Sequence, residues 1–229
     1  MLKIKNVEIH GWEPGIRGMR NPKNSWKKSD SKFVTTDGDH HDICGNFGPG
    51  YGSYGWEEAV IGENDLNLMT TLRDAGTDHR KFMRMIVVYM DVTAPLYWWK
   101  EYDTYKVGTV ANSCSTMHKI AEKEFTLDDF SCEHLIGIAK DDLHGTTSVL
   151  NHFRKLYLQS KDKKYWWQMI QLLPSSYNQR RTIMLNYEVL ANIYKSRRNH
   201  KLDEWHTFCD LIESLPYSEL ITGREEKHD

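Results

Sequence analysis

The chain has 229 residues, of which 39% are hydrophobic and 27% charged, enough to bury one substantial core. Thirty Lys plus Arg against thirty-two Asp plus Glu leave a formal charge of −2, which excludes a general nucleic-acid coat or a polybasic membrane surface. Any anion recognition must then be local, and neither nucleic acid nor a membrane is expected as a partner.

The opening MLKIKNVEIHGW lacks the apolar run of a secretory signal, and no segment approaches the roughly eighteen apolar residues that span a bilayer. Cys44, Cys114, Cys132 and Cys209 are scattered without CxxC spacing, so reduced thiols in a soluble, cytoplasmic protein are expected. Leu2 to Ile9 alternates apolar Leu2, Ile4 and Val7 with Lys3, Lys5 and Glu8, the pattern of an edge strand with one wet face. Gly11 to Lys32 is rich in Gly, Pro, Asn, Ser and cations. It reads as a long ordered loop or short helical turns, where Arg17, Arg20 and Ser25 are placed to meet a phosphate or simply to be solvated.

In DGDHHDICGNFGPGYGSYG, residues 37–55, Asp37, Asp39, His40, His41, Asp42 and Cys44 crowd together. Adjacent histidines point differently on any regular element and no ligand spacing supports a tetrahedral site, so no metal is expected. The glycines form neither GxGxxG nor GxxxxGK. A surface loop is the expectation. Asn64 is placed to cap a helix with Leu66, Leu68, Met69 and Leu72 at helical spacing, ending at Ala75-Gly76. Met85 to Val92, MIVVYMDV, then reads as the central buried strand, terminated by Pro95.

A helix over about 96–106 follows, with Tyr97, Trp98, Tyr102 and Tyr105 among Lys100, Glu101 and Lys106, running into the hydroxyl-rich loop GTVANSCST. Backbone amides and hydroxyls there suit an anion, with Lys106 as counter-charge. Cys114 with His118 four residues on is weak grounds for a nucleophile, because no third, orienting residue is identifiable. Helices are expected at about 141–160 and 162–172, the latter carrying Tyr165, Trp166 and Trp167. Leu173-Pro174 stops the chain, and Ser175 or Ser176 caps a long helix over Tyr177 to Arg198 with Ile183, Tyr187, Leu190 and Tyr194 as its buried stripe. Arg180 and Arg197 near its ends are placed to bracket an anionic ligand. A last helix, Asp203 to Leu215, precedes a polar tail.

The order LRDAG, DHRKF, IVVYMDVTAP, the aromatic and cationic helix, and LLPSSYNQRRTIMLNYEVLANIYKSRR resembles the flavin-dependent thymidylate synthase family, ThyX. The most specific part is Leu173-Pro174, Tyr177-x-x-Arg180, Asn186, Asn192 and Arg197. The resemblance implies an α+β fold with a mixed or antiparallel sheet packed with long helices, as one domain: a divergent segment 1–60, a family-like core 61–215 and the tail 216–229. It implies reductive methylation of dUMP using methylenetetrahydrofolate and FAD, with NADPH as a further co-substrate, in a homotetramer. Arg180, Arg197, Glu101, Cys114 and Ser115 would bind the nucleotide, with Arg197 as the catalytic residue at the pyrimidine. His79, Lys106, Asn186 and Asn192 would hold FAD.

The signature Arg-His-Arg-x-x-Ser falls on Thr104-Tyr105-Lys106-Val107-Gly108-Thr109, where only Lys106 and Thr109 keep the chemical type. The family's acidic residue, serine and arginine further on fall on Asn112, Cys114 and Thr116. Losing two guanidiniums removes bidentate contacts that Thr and Tyr do not replace. Three readings follow: a dUMP methylase, a relative acting on another pyrimidine nucleotide through changed contacts around Glu101 and Asn112, and a non-catalytic nucleotide-binding or sequestering module.

Overall fold

The computed structural model describes residues 2–33, 55–56 and 59–223. The Asp/His/Gly-rich segment thus lies, but for its last residue, outside the described residues. The fold is α+β. Its five-stranded sheet has the order β3-β1-β5-β7-β6, built from β1 (Lys3–His10), β3 (Gly55–Trp56), β5 (Val87–Pro95), β6 (Val110–Ser113) and β7 (Asn178–Asn186). A separate antiparallel pair joins β2 (Lys32–Phe33) to β4 (Ala59–Val60). The helices are α1 (Trp12–Arg20), α2 (Glu63–Asp74), α3 (Leu96–Tyr102), α4 (Thr116–Lys119), α5 (Ile138–Ser160), α6 (Lys163–Leu172), α7 (Tyr187–Arg197), α8 (Asp203–Ser214) and α9 (Glu219–Thr222). No helix among the described residues is long and apolar enough to cross a membrane.

Two compact units divide the chain, and neither is contiguous in sequence. One comprises Met1–Lys3, Val92–Thr104 and Asn112–Arg181; the other comprises Ile4–Asp91, Tyr105–Ala111 and Thr182–Asp229. In the first, the hairpin of α5 and α6 closes a core of Ile120, Phe125, Phe130, Leu143, Leu150 and Met169. In the second, Trp12 packs edge-on against Tyr187 and Tyr217, each with ring centroids 5.2 Å away. Edge-to-face geometry places the positive ring edge on the negative π-face.

Several expected elements take a different form. β1 is second in the sheet rather than at its edge, because β3 pairs with it in parallel through Glu8↔Gly55 and Ile9↔Trp56. The expected loop after Gly11 begins with a real helix, α1, whose Trp12, Ile16 and Met19 are buried at helical spacing. Pro14 and two glycines mask that spacing in the sequence, yet proline is tolerated in a first turn. Gly11 itself is obligatory: it has φ 97°, and a Cβ there would lie 2.0 Å from the Met85 carbonyl oxygen.

β5 is the middle strand, as expected, but its burial alternates and leaves Tyr89 exposed. α2 is not capped by Asn64; the Asp30 carboxylate accepts from the Asn64 and Asp65 amides at 2.9 and 3.1 Å. α3 stops at Tyr102 rather than Lys106, since the Thr104 hydroxyl and amide both bond the Glu101 carbonyl, at 2.7 and 3.1 Å. The largest correction concerns 177–198, where the first half of the expected long helix is β7. Neither Ser175 nor Ser176 caps a helix: their carbonyls accept from the Tyr97 and Ser131 amides at 3.1 and 2.8 Å. Ile183 and Leu185, two residues apart, are both buried, which is strand periodicity. Tyr187, Leu190 and Tyr194 are buried on α7 as expected.

Candidate functional site

The register of β6 against β7 builds a cleft in the first unit. Cys114 N–H donates to the Arg180 carbonyl at 2.9 Å, so the residues after β6 run beside the Tyr177-x-x-Arg180 segment. Ser115 starts α4, its hydroxyl accepting from the His118 amide at 3.2 Å. The result is a cavity of about 310 Å³ whose lining includes Cys114, Ser115, Thr116, Tyr177, Gln179 and Arg180. That volume is at the lower end of the roughly 300–1,000 Å³ typical of small-molecule sites. Lys119 and Lys123 also line it, already paired with Glu122 and Asp129.

A hydrogen-bonded chain holds this wall. Gln179 Nε2 donates to the Cys114 carbonyl and the Thr116 hydroxyl, both at 3.1 Å. Arg181 Nε donates to Gln179 Oε1 at 3.0 Å, and its Nη1 pairs with Asp103 at 2.8 Å. The same guanidinium lies 4.2 Å from the centre of the Trp99 ring, whose N–H donates to the Gln179 carbonyl at 2.9 Å. Gln179 therefore has both amide atoms oriented by partners, which fixes the peptide at Cys114. Burial, helped by the charge of Asp129, pushes the Tyr177 hydroxyl above its ordinary pKa, so it stays protonated as a donor.

Of the expected nucleotide contacts, Cys114, Ser115 and Arg180 meet in this cleft. Glu101 stands at the end of α3 in the same unit, half-buried, and does not line the cavity. No hydrogen bond joins Cys114 to His118, so the geometry offers no nucleophile and base pair. Gln179 is not among the residues that the sequence pattern singles out. Only a strand period would have revealed it, by placing Tyr177, Gln179 and Arg181 on alternate positions.

Arg197 belongs to the second unit. Its Nε donates to the Tyr105 hydroxyl at 2.9 Å, and its guanidinium lies 5.5 Å from the Tyr105 ring centre and 4.9 Å from that of Trp205. Cation–π contact and hydrogen bond together hold the planar group in one orientation. Tyr105 opens a tight turn in which the Thr109 hydroxyl bonds the Tyr105 carbonyl at 2.5 Å, with Lys106 exposed on it. Gly108 in this turn has φ 80°, and a Cβ there would sit 3.1 Å from Val189 and 3.3 Å from the Asn186 amide nitrogen. Asn186 is the N-cap of α7, its Oδ1 accepting from the Val189 amide at 3.0 Å.

Asn192 lies one turn and a half further on, lining a groove of about 570 Å³ with Arg73, Arg80, Lys195 and Arg198. Its Oδ1 accepts from Arg80 at 3.4 Å. His79, exposed, precedes the 3-10 turn Arg80–Arg84 and is not among the groove's lining residues. Arg80 and Arg84 both bond the Glu188 carboxylate. Burial alone would raise this carboxyl's pKa, but those hydrogen bonds and charges outweigh it and hold it below its usual range.

No protein-family model and no curated protein matches the sequence. Solved structures do. Thymidylate synthase X from Helicobacter pylori, determined with FAD and dUMP, superposes with a TM-score of 0.67 at 12% identity, covering 97% of this chain and 98% of that one. A second structure of that flavin-dependent enzyme with FAD and dUMP gives 0.67 at 13%, covering 96% and 98%. A UMP/dUMP methylase from Streptomyces cacaoi bound with 5-Br UMP gives 0.50 at 14%, covering 67% and 76%. At such low identity the likeness speaks for architecture alone, and the architecture is clear: this chain has the fold of the flavin-dependent thymidylate synthase ThyX.

Proposed function

We propose that the chain is a thymidylate synthase-like enzyme that methylates dUMP reductively at C5, with methylenetetrahydrofolate as carbon donor. The observation that carries this is the cleft. Within a fold matched over 97% of the chain by a protein bound to FAD and dUMP, the expected nucleotide contacts Cys114, Ser115 and Arg180 line one small cavity. Arg180 supplies a guanidinium for the phosphate, and Ser115 with Thr116 supplies hydroxyls. Gln179 positions the wall.

The groove of the second unit fits the FAD diphosphate: Arg80 and Arg198 reach it, Asn192 offers an amide, and Lys195 has no acidic partner among the described residues. Lys106, on the turn that packs against the start of α7, and Asn186 are proposed as further FAD contacts outside that groove. Bound FAD would supply the hydride that completes the methyl group, with NADPH as the reductant that restores it. This chemistry needs no protein nucleophile, which agrees with a Cys114 that has no hydrogen-bonded base among the described residues. Four copies are proposed to assemble, supported by exposed apolar side chains on the α5–α6 hairpin, among them Ile138, Val149 and Trp167.

A second reading, a nucleotide binder that takes no flavin, is favoured by one observation. Tyr105 stands where the family places the histidine of Arg-His-Arg, and its contacts are to Arg197 and Trp205. The absorption spectrum of the purified protein, followed by titration with FAD and dUMP, separates the readings. Flavin bands that grow with added FAD support the enzyme; no uptake at saturating FAD, with or without dUMP, discards it and leaves the binder. Arg180→Ala is expected to weaken dUMP binding roughly tenfold to a hundredfold, as for loss of a charge-assisted hydrogen bond.

A further inference from the structure

We propose that the groove beside Trp26, in the second unit, docks a short single-stranded nucleic acid. The groove measures about 870 Å³, and its lining includes Lys23, Trp26, Lys27 and Lys28 on one loop and Asn64 and Leu68 of α2. Trp26 is 46% exposed, and its indole N–H is fixed by the Asn21 side chain at 2.8 Å. Among the described residues no carboxylate pairs with Lys23, Lys27 or Lys28. The chain is near neutral as a whole, so three cations with no acidic partner among the described residues, beside one exposed aromatic, form a local departure from its charge balance.

A second observation separates this loop from an ordinary solvated basic segment. Both its ends are tied to one buried carboxylate. Asp65, fully buried, pairs with the buried Arg20 at 2.6 Å and accepts from the hydroxyls of Ser29 and Ser31, each at 2.6 Å. It also accepts from the Asp30 and Ser31 amides, both at 3.2 Å. Arg20 in turn donates to the Ser25 carbonyl at 3.3 Å. The loop that presents Trp26 and the lysines is thus preorganised, and a preorganised surface spends less ordering entropy when it binds.

The chemistry of the groove selects the ligand class. Lysines act as point charges toward backbone phosphates, and an indole whose N–H is already bonded recognises a base through its π-face. That combination reads no sequence and depends on salt. An acidic peptide would use the lysines and gain little from Trp26.

The test is fluorescence anisotropy of a labelled oligo-dT of about ten nucleotides, within the usual site size for such grooves, with the full chain at low salt. Binding is expected, with a log–log salt slope of about 2 in magnitude, from three neutralised phosphates on a single strand. Trp26→Ala should weaken it about tenfold and Trp26→Phe should restore most of that. Lys27→Ala with Lys28→Ala should cut the slope by about 1.4. Saturating dUMP should not compete, which keeps this result independent of the cleft. Absence of binding at low salt, displacement by dUMP, or equal binding by the parent and the Trp26→Ala variant would overturn the proposal. So would a polyglutamate peptide that binds as tightly as the oligonucleotide.

Discussion

Asp65 shows how one side chain carries a loop. Its carboxylate accepts from Arg20, two serine hydroxyls and two backbone amides, so both oxygens have protein donors in place of water. Asp65→Ala leaves a buried guanidinium without a counter-charge and is expected to cost roughly 3–5 kcal/mol in a denaturant titration. Adding Arg20→Met should recover only the charge part, because the Asp30 and Ser31 amides stay unpaired; full recovery would show that the ion pair alone mattered. Cys114 poses a different question at the same scale. Burial pushes the Cys209 thiol up to about 11, whereas Cys114 is exposed in the cleft, and the thiolate is the reactive form. Maleimide labelling should therefore be faster at Cys114 than at Cys209, and dUMP should slow it; labelling of Cys114 that ignores dUMP would place the nucleotide elsewhere. None of Asp65's partners could be read from sequence spacing, since its contacts lie 34 to 45 residues away.

At the scale of elements, the junction of β7 and α7 decides what the polar residues there do. Asn186 ends the strand and caps the helix, so its side-chain oxygen is committed before any cofactor arrives. Asn186→Ala is expected to lose about 1 kcal/mol of stability as a lost cap, and Asn186→Asp to keep it. If the Nδ2 group also serves flavin, the Asp variant will lose FAD affinity at unchanged melting temperature; unchanged affinity would reduce Asn186 to a cap. The same junction is where sequence pattern and structure differ most. Residues 177–198 contain strong helix formers, and Ile183, Tyr187, Leu190 and Tyr194 fit a helical stripe. All four are buried, but Ile183 reaches the core from a strand. Short apolar spacings are ambiguous between periods, and pairing within a sheet overrides weak local preference.

For the molecule as a whole, acid response gathers these local effects. In the folded chain Asp65 and Glu188 titrate below their ordinary values of 3.8 and 4.5, because donors and cations outweigh the opposing cost of burial. Their stabilisation is therefore complete above the unfolded values and is lost as pH falls through the folded ones. Urea melts should be flat near neutral pH and decline below about 4.5, and the deficit of Glu188→Gln against the parent should shrink as pH falls below that point. A constant deficit across that range would remove Glu188 from the acid response. The family resemblance implied the α+β class, and pattern by itself determined a central strand at MIVVYMDV, helices at about 141–160 and 162–172 and a closing helix at 203–215. Those features rest on local hydrophobic periodicity, which sequence carries directly. Only the tertiary structure decided that Arg180 sits with Cys114 and Ser115, that Arg197 is held by Tyr105 and Trp205, and that Arg20 serves Asp65 rather than a phosphate. Each of these follows from strand register or from a buried group finding a distant partner, and the physics of satisfying such groups is non-local.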